Sequence, residues 1–545
     1  MKRNERQFAS FVSPPAAKDE AAPASSEAPR AQNARGNHSL LFALLVSMVM
    51  MICSVVWQHG GVLYPEVESR LPYYLSHGSL LSKLYDSDYL DMGMYQAREL
   101  SYFFDYIDCK FIACCVALGH PHFLSLTQYV FLVLISLVLW RFGVGELKLE
   151  RWIGLCVLLL YWTTPAVFLG GAFYRTAKIG VALAVVVLYW RIFRILRAAR
   201  DIPRCGLSAR SWLVCFGWAW AATLFDRLGV FMVGVIVVFL GFWFFAYREK
   251  SVLKLTGAFV AALALSIIYN EIIAPLLTVS ISHYWPDFKY QHLPWGDLTG
   301  RPVFFITSAF SLYFDAVRFF IGNIPQWGAA LVVIGLVYLA LVTGGGRQES
   351  KPFFRAAQGL FLSQTVLIWV MILLMVLRHG TLLWPNERRL YYFLPVVSMF
   401  SMTLLLVLSR LQTRRMLPGR CLALLLGGAL LGNAIALPRH DANIRAGLLM
   451  ESLSDCYQST PVLLDALRNL RNPRYLVSPA IALNRVFQFF HDGHFSKTPA
   501  ILPRDKNKTT REKAGTKDRK SRISGHAEIE GSVRSRSVKF YVLEL

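Results

Sequence analysis

From Asp86 to Glu99 the chain reads Asp-Ser-Asp-Tyr-Leu-Asp-Met-Gly-Met-Tyr-Gln-Ala-Arg-Glu, crowding carboxylates, two tyrosines and a guanidinium into one short stretch. Glu66, Glu68, Asp105 and Asp108 belong to the same region. A carboxylate held at a membrane surface can act as a general base, taking the proton from an acceptor hydroxyl or amine as it attacks an activated carbon. Asp91, Asp88 and Asp86 are the candidates for that role, although any one of them alone also reads as ordinary solvated loop charge. A second set of residues is basic and stands where a membrane protein usually avoids basic residues: Arg175, Lys178, the pair Asp226-Arg227, Arg378-His379, and the run Glu387-Arg388-Arg389-Leu390-Tyr391-Tyr392. Arginine suits a phosphate because its planar guanidinium offers paired donors that are always charged. Each site alone fits snorkelling or a local ion pair. Together they suggest a pocket for an anionic lipid phosphate.

The elements that must carry these residues are membrane spans. Of 545 residues, 55% are hydrophobic, 14% aromatic and only 17% charged. The mean hydropathy of +0.42 is too high for a soluble chain of this size to cover its surface. About 20 apolar residues cross the hydrocarbon core. Eleven segments meet that pattern: 39–57, 123–140, 152–170, 177–190, 211–225, 228–246, 257–277, 328–342, 356–377, 390–408 and 421–437. Arg141, Lys148 and Arg151, then Arg191 to Arg210, Arg248 to Lys254, Arg347 to Arg355 and Arg410 to Arg420 all fall on the side of the N-terminus, which the positive-inside rule makes cytoplasmic. The net charge of +23 is therefore assigned to topology and lipid headgroups, with no nucleic-acid partner.

That alternation leaves two long external loops, 58–122 and 279–327, within a transmembrane domain 39–438. Residues 97–118 have helical periodicity, with Leu100, Phe103, Phe104, Ile107, Phe111 and Cys114 on one face and Arg98, Ser101, Asp105 and Asp108 on the other; the pattern predicts a helix in the outer interface, apolar side down. Residues 304–321 are similar in kind. The Asp226-Arg227 turn follows an arm of only about 22 Å at 1.5 Å per residue, which recesses it below the outer surface. Residues 1–38 read as a disordered cytoplasmic tail, 439–503 as a small external helical region, and 504–545 as a basic tail without regular structure. Nine cysteines lie mostly in or beside apolar segments without metal-ligand spacing, and read as small core residues. No P-loop or dinucleotide fingerprint is visible, and Gly344-Gly345-Gly346 reads as a turn.

This layout resembles the GT-C superfamily of polyprenol-phosphate-dependent membrane glycosyltransferases, which includes protein O-mannosyltransferases and aminoarabinose transferases. In many of them the first external loop reads approximately Asp-Glu, then Tyr, then Ala-Arg-Glu leading into an interfacial helix. Here Asp91 precedes Tyr95-Gln96-Ala97-Arg98-Glu99, with Met92 in place of the second acid and a longer approach from the first span. The resemblance implies an all-α polytopic protein of the bacterial inner membrane with its active site facing the periplasm or exterior. It implies that a sugar is moved from a polyprenyl-phosphate donor to a glycan, lipid or protein acceptor. Asp91 would be the base, with Asp88 or Asp86 as substitutes. Tyr95, Arg98, Glu99, Arg175, Lys178, Asp226, Arg227, Arg378, His379, Arg388, Arg389, Tyr391 and Tyr392 would line the donor site. Some relatives use a divalent metal, and the acids here do not specify one. The competing class is a transporter or flippase, which calls for broken helices and ionisable residues at depth; Glu271, beside Asn270, is the clearest such acid.

Overall fold

Apolar runs bounded by arginine, lysine or proline become long helices, because a chain in lipid must satisfy its backbone polar groups internally. The computed structural model describes residues 28–57, 74, 79–85, 98–117, 126–169, 176–201, 208–282, 302–321, 324–325, 327–332, 351–379, 386–414, 419–454, 475–479, 527–533 and 536–544. In chain order the helices are α1 (Ala28–Trp57), α2 (Leu80–Tyr85), α3 (Glu99–Ala117), α4 (Leu126–Trp140), α5 (Arg151–Thr163), α6 (Pro165–Phe168), α7 (Ala177–Asp201), α8 (Ala209–Phe225), α9 (Arg227–Tyr247), α10 (Lys250–Ile268), α11 (Ala274–Ser282), α12 (Pro302–Phe320), α13 (Lys351–His379), α14 (Asn386–Arg414) and α15 (Gly419–Ser454). π-Helical turns extend α4 through Arg141–Glu146 and join α10 to α11 through Tyr269–Ile273.

Among the described residues seven helices are long and apolar enough to cross a membrane, including α1, α4, α7, α9, the joined α10–α11, α14 and α15. Of the other four expected spans, 356–377 lies wholly within α13, a helix of 29 residues, and two are shorter. The second half of 152–170 breaks at Thr164-Pro165 into α6, α8 is 17 residues long, and α13 contributes the apolar stretch Gly359–Leu373. Of segment 328–342 only its first residues are described. The lipid-facing belt is plain: Phe242, Phe245, Leu424 and Ile435 are each about 70% exposed or more, a pattern that hydrocarbon tolerates and water does not. Inward, α7 is the central helix, with Ile179, Val181, Ala184, Val185, Val186, Leu188, Tyr189, Ile192 and Phe193 fully buried. The fold is thus that of a polytopic α-helical membrane protein.

Several boundaries differ from those expected. α1 starts at Ala28, so its helix extends eleven residues into the stretch read as a disordered tail; an alanine-containing segment is carried along by the span behind it. α15 runs through Pro438 to Ser454, past the expected end of the membrane domain, its ring accommodated inside the helix. The tail read as lacking regular structure, 504–545, contributes β2 (Ala527–Val533) and β3 (Arg536–Glu544), which form an antiparallel sheet with β1 (Tyr475–Pro479) in the order β1-β3-β2. Region 439–503 therefore holds a strand as well as helix. The reason is local: Val538, Phe540 and Val542 alternate with polar or aromatic residues, a strand pattern that the tail's overall basic composition dilutes. Of the cysteines, Cys109 and Cys215 are buried, whereas Cys53, Cys114 and Cys421 are exposed, so core packing accounts for only some of them.

Candidate active site

Three helix N-termini, those of α4, α7 and α9, meet at one end of the bundle, and each is capped by an aspartate. Every helix leaves its first backbone N–H groups without intrahelical acceptors, and a carboxylate both satisfies them and complements the positive end of the helix dipole. Asp108 Oδ1 accepts from the backbone N–H of Leu126 (3.0 Å) and Thr127 (2.9 Å), and Thr127 Oγ1 donates to its Oδ2 at 2.5 Å. Asp105 Oδ1 accepts from Thr176 N–H at 3.2 Å and from Thr176 Oγ1 at 3.1 Å, just ahead of α7. Asp226 Oδ1 accepts from Leu228 N–H at 2.9 Å, opening α9.

Asp105 and Asp108 come from α3, whose polar face is packed against protein. The helix forms as the periodicity predicts, and Arg98, Ser101, Asp105 and Asp108 are the packed face, all buried, while Phe103, Phe104, Ile107 and Phe111 are only half-buried. The physical reason is the solvent. In a membrane protein the polar stripe of a helix finds its partners in the protein, and apolar residues are free to face lipid.

At the centre of this end stands Asp226, 1% exposed, between two cations. Arg98 Nε lies 3.1 Å from Oδ2 and Lys178 Nζ lies 3.0 Å from Oδ1. Arg98 immediately precedes α3 and its carbonyl accepts from Tyr102 N–H at 2.9 Å; Lys178 sits in the first turn of α7, behind the Thr176 that Asp105 and Ser101 hold. Burial alone would raise the Asp226 carboxyl, but Arg98 and then Lys178, with the Leu228 N–H, outweigh it and hold the group below the usual carboxylate range. Phe225, the residue before Asp226, stacks on Phe104 (centroids 5.8 Å apart) and meets Phe131 edge-on at 5.7 Å. A Cβ on Gly180 would collide with the Phe225 ring, and one on Gly229 with the carbonyl of Ala222, so these two glycines set how closely α7, α8 and α9 approach at the turn.

Glu99, the next residue after Arg98, is also buried. It acts electrostatically on Tyr85 at the end of α2 and on Tyr269 in the π-turn, whose hydroxyls are 2.6 Å apart. Burial pushes the Tyr85 phenol up, the Tyr269 hydrogen bond draws it back, and Glu99 raises it further. The arrangement provides two cations around a shared carboxylate and a second carboxylate beside a pair of hydroxyls. It can bind an anion, or pass a proton, without exposing charge to lipid.

The structure thus brings together Arg98, Glu99, Lys178 and Asp226, with Arg227 half-buried at the head of α9. Asp226 serves as the counter-ion of Arg98 and Lys178. Asp86, Asp88, Asp91, Tyr95 and Arg175 lie outside the described residues. Arg378 and His379 end α13, and Arg388, Arg389, Tyr391 and Tyr392 lie in the first turns of α14, their side chains outside the described set. Sequence reasoning missed Tyr85 and Tyr269. The signal for the second was present, since Tyr269-Asn270-Glu271 interrupts an apolar run; Glu271, the acid chosen there, is exposed on the π-turn. Among the described residues no group of three or more His, Cys, Asp or Glu side chains is placed to hold a metal ion.

Fold and site together define a polytopic α-helical membrane protein with a buried charge cluster at the shared N-terminal end of three helices. No family model matches the chain, and no curated protein matches it. Among solved structures it is similar to ArnT from Cupriavidus metallidurans bound to undecaprenyl phosphate, at 12% identity over 92% of this chain and 97% of that one, with a TM-score of 0.28. A superposition that loose carries over neither residues nor ligand.

Proposed function

We propose that the chain is a membrane glycosyltransferase that moves a sugar from a polyprenyl-phosphate donor to an acceptor on the non-cytoplasmic face. One observation supports this reading above the others: both residues that bound the acidic segment 86–97 are anchored in the buried cluster. Tyr85 is bonded to Tyr269, and Arg98 is paired with Asp226. The segment bearing Asp86, Asp88 and Asp91 is thus bounded on both sides by residues of this end of the bundle, which supports a general base acting beside its anion-binding cations. A donor linked through phosphate brings its own activated bond, so the protein needs only to hold the phosphate, orient the sugar and take the acceptor's proton. Arg388 and Arg389, with Arg175 and Arg378, are the proposed phosphate partners.

The test is transfer of labelled sugar from undecaprenyl-phosphate carriers by purified variants, with donor binding measured separately. Asp91→Asn should cut transfer by roughly 10²–10⁴-fold and leave donor binding nearly unchanged. Arg388→Ala or Arg389→Ala should weaken binding instead. Full transfer by Asp91→Asn would shift the role to Asp88 or Asp86; full transfer by all three Asp→Asn variants would end the case for a first-loop base. A transporter is the second reading, favoured by the buried Arg98–Asp226–Lys178 cluster and by the π-turn that interrupts the α10–α11 span. Flux of a lipid-linked sugar across proteoliposomes without any transfer product would select it.

A further inference from the structure

The far end of α7 carries a second concentration of charge that the proposed reaction does not use. Lys178 and Arg194 lie near opposite ends of this helix, about 24 Å apart at 1.5 Å per residue. Trp190 closes the apolar run of α7, as Trp140 closes that of the neighbouring α4, so the residues that follow stand where the hydrocarbon ends. The π-turn after Trp140 swings Arg141 onto Trp190. The guanidinium carbons of Arg191, Arg141 and Arg194 lie 5.0, 5.6 and 5.7 Å from the centroid of that single indole. Glu146 ends the π-turn and pairs with Arg194 Nε at 3.3 Å and Arg197 Nη1 at 3.9 Å; the same Nη1 donates to the Glu146 carbonyl at 3.3 Å. Arg141 and Arg191 pair with no carboxylate among the described residues. Arg191 Nε and Trp190 Nε1 are buried donors with no acceptor there.

The positive-inside rule asks only for basic residues on one side, which flexible lysines would meet. It does not ask for guanidiniums gathered round one ring, where like charges repel, or for two buried N–H groups left without acceptors. The gathering of guanidiniums is resolved by an anion with several oxygen acceptors lying among the outer nitrogens of Arg141, Arg191 and Arg194 beside the indole. A phosphodiester fits this chemistry, because guanidinium donors engage its oxygens in pairs and an indole prefers headgroup depth. The cluster is open to such a group, with Arg194 45% exposed.

We propose that the Arg141–Trp190–Arg191–Arg194 cluster is a binding site for the phosphate of an anionic phospholipid, in the leaflet at the opposite end of the bundle from Asp226. The full chain in phosphatidylcholine nanodiscs, with and without phosphatidylglycerol, tests it by thermal unfolding and by native mass spectrometry of retained lipid. Phosphatidylglycerol should raise the melting temperature and co-purify with the protein. In the double variant Arg191→Gln/Arg194→Gln its apparent affinity should fall roughly ten- to thirty-fold. The control Arg420→Gln, at an exposed arginine on another helix, should retain parental affinity. Arg191→Lys/Arg194→Lys keeps the topogenic charge, so it should insert and melt like the parent in phosphatidylcholine yet bind phosphatidylglycerol several-fold more weakly. Parental affinity in either double variant overturns the proposal. So does equal stabilisation by inorganic phosphate in pure phosphatidylcholine, which would make the cluster a site for free phosphate.

Discussion

At the residue scale, the cluster's energetics turn on the inequality between one carboxylate and two cations. Removing either cation leaves Asp226 with a partner. Removing the Asp226 charge leaves Arg98 and Lys178 buried together. Breaking a buried pair by deleting one partner costs about 3–5 kcal/mol, most of it the desolvation of what remains. Asp226→Asn should therefore lower the melting temperature in detergent clearly more than Lys178→Gln does, and equal melting of the two variants would show that the ion pairs are not what holds this end together. The pH dependence follows from the sign of the shift. A carboxyl whose folded value is depressed contributes stability that is fully present above its unfolded value, near 3.9, and is lost only as pH falls below that toward the folded value. The Asp226→Asn penalty should thus be flat from about pH 8 down to about pH 5, and a penalty that shrinks in that window would contradict the depressed carboxyl. Arg98, Lys178 and Asp226 were each visible in the sequence as ionisable residues out of place, but not as partners, since pairing across positions 98, 178 and 226 is a product of helix packing that no local pattern encodes.

At the element scale, α3 shows what periodicity determines and what it leaves open. The spacing of three and four specifies two faces of the helix and their residues correctly. Which face turns inward depends on the medium, and here the polar one does, because Asp105 and Asp108 cap neighbouring helices. The same lesson separates the first-loop acids: two of them are caps, which removes Asp105 and Asp108 from any list of bases. The approach of α7 to the α8–α9 turn is set by Gly180 against Phe225. Adding a methyl there forces the ring aside, and overpacking of this kind costs about 1–3 kcal/mol. Gly180→Ala should lower the melting temperature, and Phe225→Leu should recover much of that loss in the double variant, because the smaller side chain vacates the space the methyl needs. A double-mutant cycle measures the coupling directly. Strictly additive effects would mean that Gly180 and Phe225 do not constrain each other.

At the scale of the whole molecule, the spans were the most legible feature, because crossing hydrocarbon imposes a length that apolar runs must meet. Legibility failed where that constraint ends, at Thr164-Pro165, at Pro438 and beyond the last span. There composition averaged over a long basic tail hid a short alternating run, Val538 to Val542, that pairs with residues more than fifty positions earlier: Val477 faces Val542 and Pro479 faces Phe540 across β1 and β3. A chain cut after Pro503 loses β2 and β3 together and leaves β1 with no strand to bond to. The helices keep their own backbone hydrogen bonds in either case, so insertion and the main thermal transition should be nearly unchanged by the cut. What should change is amide exchange within 475–478, where the alternate N–H groups that bond to β3 should be slow in the full chain and fast in the truncated one. Hydrogen–deuterium exchange on both forms in the same detergent measures this. Equal exchange within 475–478 in the two forms would show that β1 draws no protection from the tail, and a fall in the main melting temperature would show that the sheet braces the helical core.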